Sequence, residues 1–567
     1  MHPTHHRHKY ALPLILCLFA VLTTIGVFYN YPLSTTIGDE TVLMAASLKM
    51  LAAHSLRADF PTNYHMPLGA YLYLPFFVPL LLFLRFSGLF TSIASLTQFG
   101  ILEYGKLLPF ARGISILLGL ACVYLVYKIC RKLFNDNSIA LIAAFLLATD
   151  LMFVFLSHFG KVWVPQLFTI LLALYYIVRF HRAPVVSLRD YLFLGFLISA
   201  AFATHVVGAL VYLPFLVVHY YKHAGSRFVR TFILNKRLWA CNLLIMLCIA
   251  LTYYVNPYGF QNYFHQSAAA AQGLVGSAAA QQERDILTGF FFYARVLWEY
   301  APLLLVLSLA GAWALFKRSR DSFFILCSFI AGYYLVIGPL LGSTHAQPHY
   351  VATFIPFLVI IAAYGLTLFF RTQPILRHNG VKAVLVSLFI LVSLYPPLLL
   401  DYRLAQQTTW QEFLHWLPVN IPVGSKIINF DAYLPINGNR ASIEFTKRFN
   451  PSFLQRREEY LLNLHDAEYP APNYFLFQPF YAGGVPADID RDQFDYAVLS
   501  WRDQKDYQAI LEAARAFGVT EKKLFALFPA DATKDTYSAD IENIRQPLLN
   551  LPRLTRTGPI IGVYALR

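Results

Sequence analysis

Charge is what this chain has least of. Only 13% of its 567 residues are Asp, Glu, Lys or Arg, against about 25% in ordinary soluble domains, while 57% are apolar. No soluble fold of this length could cover so much apolar surface, so a wholly soluble protein is excluded. Acids are especially scarce early on: 20 of the 31 lie from residue 401 onward, leaving 11 among the first 400 residues against 27 of the 45 bases. Residues 1–400 therefore carry a formal +16, and the −2 of residues 401–567 brings the whole chain to +14. The positive charge falls in short runs between apolar segments, the pattern of cytoplasmic loops and not of a basic patch on a folded domain, so no nucleic-acid partner is expected. Cysteine is scarce too. Cys17, Cys122, Cys130, Cys241, Cys248 and Cys327 all lie in or beside apolar segments, with no disulfide framework or zinc spacing, and read as small core residues. A Rossmann glycine fingerprint and a P-loop are both missing, so no nucleotide site is expected.

What is present is a series of apolar runs near the length of about 20 residues that a spanning helix needs. They fall at 11–30, 110–129, 138–157, 162–180, 190–205, 206–221, 237–256, 292–316, 322–341, 349–370 and 381–400. Lys9 before the run from Ala11 imitates a signal peptide, but no small-residue cleavage site follows, so the run reads as a retained first helix. The stretch 67–86 is also apolar and sets the parity. If it dips in, or forms a hairpin with 88–107, then Lys128/Arg131/Lys132, Arg179/Arg182/Arg189, the bases from Lys222 to Arg237, Lys317/Arg318/Arg320 and Arg371/Arg377/Lys382 share a side with the basic N-terminus. The positive-inside rule selects that arrangement. The expected fold is an all-α polytopic membrane domain of about 11–13 spanning helices over residues 1–400, followed by a soluble extracytoplasmic α/β domain over 401–567. In the latter, 424–430 and 494–500 read as strands, Tyr507 to Phe517 as a helix and Ile560 to Leu566 as a last strand.

This orientation puts the sparse polar chemistry outside: loop 31–66, the turn around His158–Pro165, the Thr204-His205 turn, loop 257–290 and the turn Gly342–His349. In the first loop Asp39-Glu40 opens a segment with Val42, Leu43, Ala46, Leu48, Met50 and Leu51 at apolar positions, suited to lie along the membrane surface. An Asp at a helix start caps orphan N–H groups. At the water–lipid boundary it could equally act as a general base or bind a divalent cation.

The acidic pair after the first span, the surface helix and then Tyr64-His65-Met66-Pro67-Leu68-Gly69-Ala70-Tyr71 resemble the GT-C glycosyltransferases of the family-39-like group, which includes protein O-mannosyltransferases and the lipid A aminoarabinose transferase. Arg112-Gly113-Ile114-Ser115 through Phe134 is similar to that family's second spanning helix, and His349-Tyr350 through Pro356 to its late Arg-Tyr…Pro segment. The resemblance implies an inverting transfer of a sugar from a polyprenyl-phosphate donor to a hydroxyl of a protein, lipid or glycan, in a plasma (bacterial inner) membrane. Asp39, with Glu40, would be catalytic. Lys161, His345 and His349 would meet the donor phosphate, and His65, Tyr71, His158, His205 and Tyr350 would line the substrate. Each histidine at a helix end could instead simply bond a carbonyl. No cofactor is implied beyond a divalent cation that Asp39 could hold. One departure stands out: many relatives carry a second acid in the turn after the third helix, whereas Ser157 to Gln166 here has none and offers Lys161 and His158. A lipid-linked glycan transporter and a glycan-binding membrane scaffold remain the alternatives. The first would show paired halves with interrupted helices and intramembrane charges, and no such repeat is visible.

Overall fold

The computed structural model describes residues 10–33, 39–59, 65–88, 90, 92–223, 228–262, 286–337, 347–373, 378–431, 434–454, 456–465, 468–482, 484–486, 489–502, 504–532, 538–539, 548–554 and 556–567. They divide into two compact units. One takes the described residues of 1–27, 39–84 and 110–401; the other takes those of 28–38, 85–109 and 402–567.

The first unit is helical. Among the described residues, six helices are long and apolar enough to cross a bilayer: Pro67–Phe86, Tyr104–Phe134, Trp163–Arg182, Lys236–Val255, Ile355–Thr372 and Asn379–Asn420. The last of these runs on past Asp401 into residues assigned to the second unit. Two bent pairs raise the number to eight, so the chain is a multi-pass membrane protein. The count is below the 11–13 expected because several apolar runs form shorter helices. Ala11–Thr24 has 14 residues, Leu188–Thr204 17, Tyr212–Lys222 11 and Arg320–Gly332 13.

The breaks have local causes. Asp136 caps Asn137–Ala148 through the amides of Ser138 and Ile139. Asp150, expected inside a helix, instead sits at a 61° bend and caps Leu151–Ser157 through the Phe153 amide, 2.9 Å away. Leu151–Ser157 then ends at His158, and the turn 158–162 leads into the helix Trp163–Arg182. One face of the helix Val42–Ala52 packs into the protein. Val42, Leu43, Met44, Ala46, Ser47 and Met50 are buried, Ala46 and Met50 pack on Ala58 and Ala70, and the Ser47 hydroxyl donates to the Ala70 carbonyl at 2.9 Å. Of the two alternatives for 67–107, a hairpin of two spans does not form among the described residues. Ile93–Leu102 has ten residues, and Leu102 packs with Ile443, Leu461 and Tyr469 of the second unit.

The second unit carries a five-stranded sheet in the order β2-β1-β3-β7-β4. Its strands are β1 (Lys426–Asn429), β2 (Phe475–Phe477), β3 (Tyr496–Trp501), β4 (Leu524–Phe528) and β7 (Ile560–Ala565); β5 (Ser538–Ala539) and β6 (Arg556–Thr557) pair separately. β1 is parallel to β2 and β3, while β7 is antiparallel to β3 and β4. Side chains alternate across a strand, so Ile427, Val498, Ile561 and Val563 pack with Trp410, Phe413 and Leu417 on one face. Ile428, Ala497, Leu499 and Tyr564 pack with Leu511 and Ala514 on the other. Burial on both faces is why these strands read as near-continuous apolar runs. Segment 28–33 is held by this unit: the Thr408 hydroxyl bonds the Asn30 side chain, and the Gln411 amide donates to the Tyr31 carbonyl.

Candidate active site

The helix ends of the first unit bring a carboxylate, an ammonium, three imidazoles and a phenol together. Asp39 is exposed at the start of its loop, with φ of 64°, a left-handed conformation that Asp tolerates better than most residues. Its charge acts on two neighbours. It opposes the loss of a proton from Tyr350, whose phenol burial and Asp39 together push up to about 12. It also favours protonation of His65, but burial outweighs it and, helped by the Lys161 charge, holds the imidazole below its ordinary range. Lys161 is itself buried, at 5% exposure. His205 follows the end of helix Leu188–Thr204, where burial and then His65 bring it down to about 3. Both imidazoles are therefore neutral at physiological pH. His205 caps the next turn, its Nδ1 accepting from the Val207 amide at 3.4 Å.

Trp163 ties the group together. Its ring centroid lies 5.2 Å from that of His205, 4.7 Å from His349 and 5.1 Å from Tyr350. Trp163 opens its helix directly after the 158–162 turn, and His349 and Tyr350 sit on the short helix Pro348–Thr353 before Ile355–Thr372. One turn along from Trp163, Gln166 is 1% exposed, and its side-chain amide has no hydrogen-bond partner among the described residues. Asn256, fully buried at the end of Lys236–Val255, donates to the His65 carbonyl at 2.8 Å and so fixes that loop.

Beside this group lies a closed ion pair. Arg112 and Glu40 are 0% and 1% exposed. Arg112 Nε donates to Glu40 Oε1 at 2.7 Å and Nη2 to Oε2 at 2.8 Å, while Nη1 donates to the Val27 carbonyl at 2.8 Å. The Gly160 amide donates to Glu40 Oε1 at 3.1 Å. Both Glu40 oxygens are thus engaged within the protein, and the side chain is 1% exposed.

Residues 105–255 match the family model described as dolichyl-phosphate-mannose-protein mannosyltransferase. No curated protein matches the chain. Among solved structures, ArnT from Cupriavidus metallidurans in the apo state is similar at 14% identity, over 88% of this chain and 94% of that one, with a TM-score of 0.48. The same protein bound to undecaprenyl phosphate is 12% identical over 98% of each chain, with a TM-score of 0.46. The Archaeoglobus fulgidus oligosaccharyltransferase in the apo form is 13% identical over 87% of this chain and 70% of that one, with a TM-score of 0.47. The matched stretch contains Arg112, Lys161, Trp163, Gln166 and His205.

Of the residues expected at the site, Asp39, His65, Lys161, His205, His349 and Tyr350 gather, and His345 lies outside the described residues. Two others are engaged elsewhere. His158 is fully buried, with Nδ1 2.8 Å from the Val154 carbonyl and Nε2 3.1 Å from the Leu22 carbonyl and 3.2 Å from Asp401 Oδ1. The Tyr71 hydroxyl donates to the Leu56 carbonyl. Both thus make the bonds to backbone carbonyls that any polar side chain at a helix end can make. Trp163, Gln166, Asn256 and the Arg112 pairing were not anticipated. A lone base in an apolar run was the available signal for Arg112. Among the described residues no three His, Cys, Asp or Glu side chains are grouped to hold a metal ion.

Proposed function

We propose that the chain is a membrane glycosyltransferase that moves a sugar from a polyprenyl-phosphate carrier to an acceptor hydroxyl on the outer face of a plasma (bacterial inner) membrane. The observation that carries this reading is the packing of His205, His349 and Tyr350 on Trp163, together with the charges of Asp39 and Lys161 acting on His65 and that of Asp39 on Tyr350. The mannosyltransferase family match over 105–255 supports it. The described residues of 28–38, 85–109 and 402–567 fall in one compact unit, and the reading takes that unit to lie on the outer side.

The chemistry follows from the groups. The acceptor oxygen attacks the anomeric carbon opposite the phosphate while Asp39 takes its proton. The bond from the anomeric carbon to the phosphate oxygen breaks, its electron pair leaves with the lipid phosphate, and the configuration inverts. Lys161 offsets the phosphate charge in a site shielded from water, where such an interaction is strongest. Neutral His65 and His205 and the protonated Tyr350 offer hydrogen bonds without adding charge. Trp163 gives the sugar an aromatic face, and the Gln166 amide offers a hydroxyl both a donor and an acceptor. Lys161 takes the place of the divalent cation expected near Asp39, so turnover persists in a chelator. Its loss there, restored by Mg²⁺, assigns that charge to a metal instead.

The deciding experiment supplies the purified protein with polyprenyl-phosphate sugars and acceptors and follows release of lipid phosphate. Asp39→Asn is expected to lower turnover by about 10²–10⁴-fold, the usual worth of a general base. Equal turnover in both proteins removes Asp39 as base. Absence of turnover with every donor, alongside movement of a lipid-linked glycan across vesicles, makes the chain a transporter.

A further inference from the structure

Asp39 and Lys161 stand 122 positions apart in the sequence, yet each is next in the chain to a residue of one buried node. Glu40 follows Asp39, and Gly160 precedes Lys161. The Gly160 amide donates to Glu40 Oε1 at 3.1 Å, so one hydrogen bond and the Glu40 side chain connect the two backbone segments that carry the charges. The Arg112 fork then fixes the Glu40 carboxylate through two bonds of 2.7 and 2.8 Å. Its third bond, to the Val27 carbonyl, ties in the segment that follows the first helix. The Arg112 guanidinium also lies over the Phe159 ring, 5.5 Å from its centroid, beside the same turn.

The turn has been drawn in closely. A Cβ on Gly160 would meet the Ala111 Cβ at 3.1 Å and the Glu40 carbonyl at 3.5 Å, so a bare backbone there lets the amide approach the carboxylate. A buried ion pair is a poor stabiliser compared with apolar side chains of the same size, because desolvating both charges cancels most of the attraction. This pair does something apolar groups cannot. A planar fork on a carboxylate fixes distance and orientation together.

We infer that Glu40 and Arg112 are positioning residues, which hold the Asp39 loop and the Lys161 turn in one register so that the base and the phosphate partner act on the same substrate. The inference rests on the glycosyltransferase reading for what is positioned, but the register itself is measurable without turnover.

The test replaces the ion pair by the apolar pair Glu40→Leu/Arg112→Met, which keeps bulk and removes both charges. Its thermal unfolding is expected near that of the wild type. Its kcat is expected to fall about 10²-fold, the cost of a misplacement near 1 Å, with KM for the lipid donor within about threefold, since the donor contacts themselves remain. Arg112→Lys, which keeps the charge and loses the fork, is expected to lower kcat by about 10-fold or more with the same KM, and it serves if the apolar pair does not fold. Wild-type kcat in either variant, or a KM rise that accounts for the whole loss, overturns the inference and leaves the ion pair to the fold alone. Amide hydrogen exchange gives the second readout. Residues 39–43 and 159–163 are expected to exchange faster together in the apolar pair; loosening of one segment alone overturns the coupling. A wild type that shows no transfer with any donor fails the transferase reading, and the exchange result still stands or falls by itself.

Discussion

The two units treat charge in opposite ways. The helical unit has few ionisable residues, yet it buries Glu40, His65, Arg112, Asp150, His158, Lys161, His205, His219, His349 and Asp401. The sheet-bearing unit has an ordinary complement of charge and, among its described residues, buries only Asp431. Its stability comes from two apolar layers on either side of one sheet. Apolar burial stabilises in proportion to area, whereas burial of a charge costs free energy unless bonds return it. Where a unit poor in charge hides so much of what it has, the hidden groups serve chemistry or its geometry more than stability. Six of the ten belong to the candidate site or to its clamp.

The comparison is most sharply broken at Arg112. Arg112→Met leaves the Glu40 carboxylate buried without its partner, and removing one member of a buried pair costs about 3–5 kcal/mol. Thermal unfolding of the purified protein should show that loss in the helical unit, with hydrogen exchange in strands β1 and β3 unchanged. A loss below about 1 kcal/mol, the worth of an exposed pair, means that water reaches the site. Lys161 should behave differently. Lys161→Gln keeps a polar side chain of similar length and is expected to cost less stability than Arg112→Met. Turnover should fall by about 10²-fold or more, as when one stabilising group is taken from a developing anion. Unchanged turnover would remove Lys161 from phosphate binding.

The two units also differed in how much their sequences disclosed. In the sheet unit, periodicity and breakers located three of the five strands of the main sheet and one helix, and missed the short β2 and β4. The strands read at 424–430, 494–500 and 560–566 appear as Lys426–Asn429, Tyr496–Trp501 and Ile560–Ala565, and the helix read at 507–517 as Gln504–Arg515. In the helical unit the apolar runs showed a membrane protein but not where its helices break, because hydropathy averages over a polar cap such as Asp150. The candidate site was legible as a set of polar residues on outer turns. Which of them meet depends on long-range contacts that spacing does not carry. His158 and His205 looked alike in sequence, each in a turn beside a helix end; one bonds Leu22, Val154 and Asp401, while the other faces Trp163 and His65. Glu40 looked like a second acid because its partner Arg112 lies 72 residues away.

The neutral imidazoles give a smaller and pH-dependent effect. His205 is held at about 3, below the ordinary 6.5. The folded protein therefore stays unprotonated there while the unfolded chain takes up a proton. The stability this group contributes is full above pH 6.5 and is lost as the pH falls toward 3, at about 1.4 kcal/mol per pH unit. His65, also lowered by burial, adds in the same direction. Going from pH 7.5 to pH 5 should cost the wild type roughly 2 kcal/mol through His205. His205→Asn should flatten that slope in thermal unfolding followed across pH. An unchanged slope would mean that His205 meets water or a carboxylate in the folded protein.

The smallest effect tests whether the sheet unit is as indifferent to the chemistry as its ordinary core suggests. Ile427 is fully buried on β1 and packs against the helix Thr409–Asn420 and neighbouring strands. Ile427→Val removes one methylene and should cost about 0.5–1.5 kcal/mol, since the surrounding apolar layer closes only part of the gap. Hydrogen exchange should quicken in β1, β2 and β3, the strands that share its ladder, while residues 39–43 and 159–163 keep their protection. Lipid-phosphate release should stay within about twofold, as expected if the packing of this sheet and the chemistry of the helical unit respond independently. If turnover instead falls in step with the loosening of β1, the sheet shapes acceptor binding, and the division between a chemical unit and a merely stable one gives way at that strand.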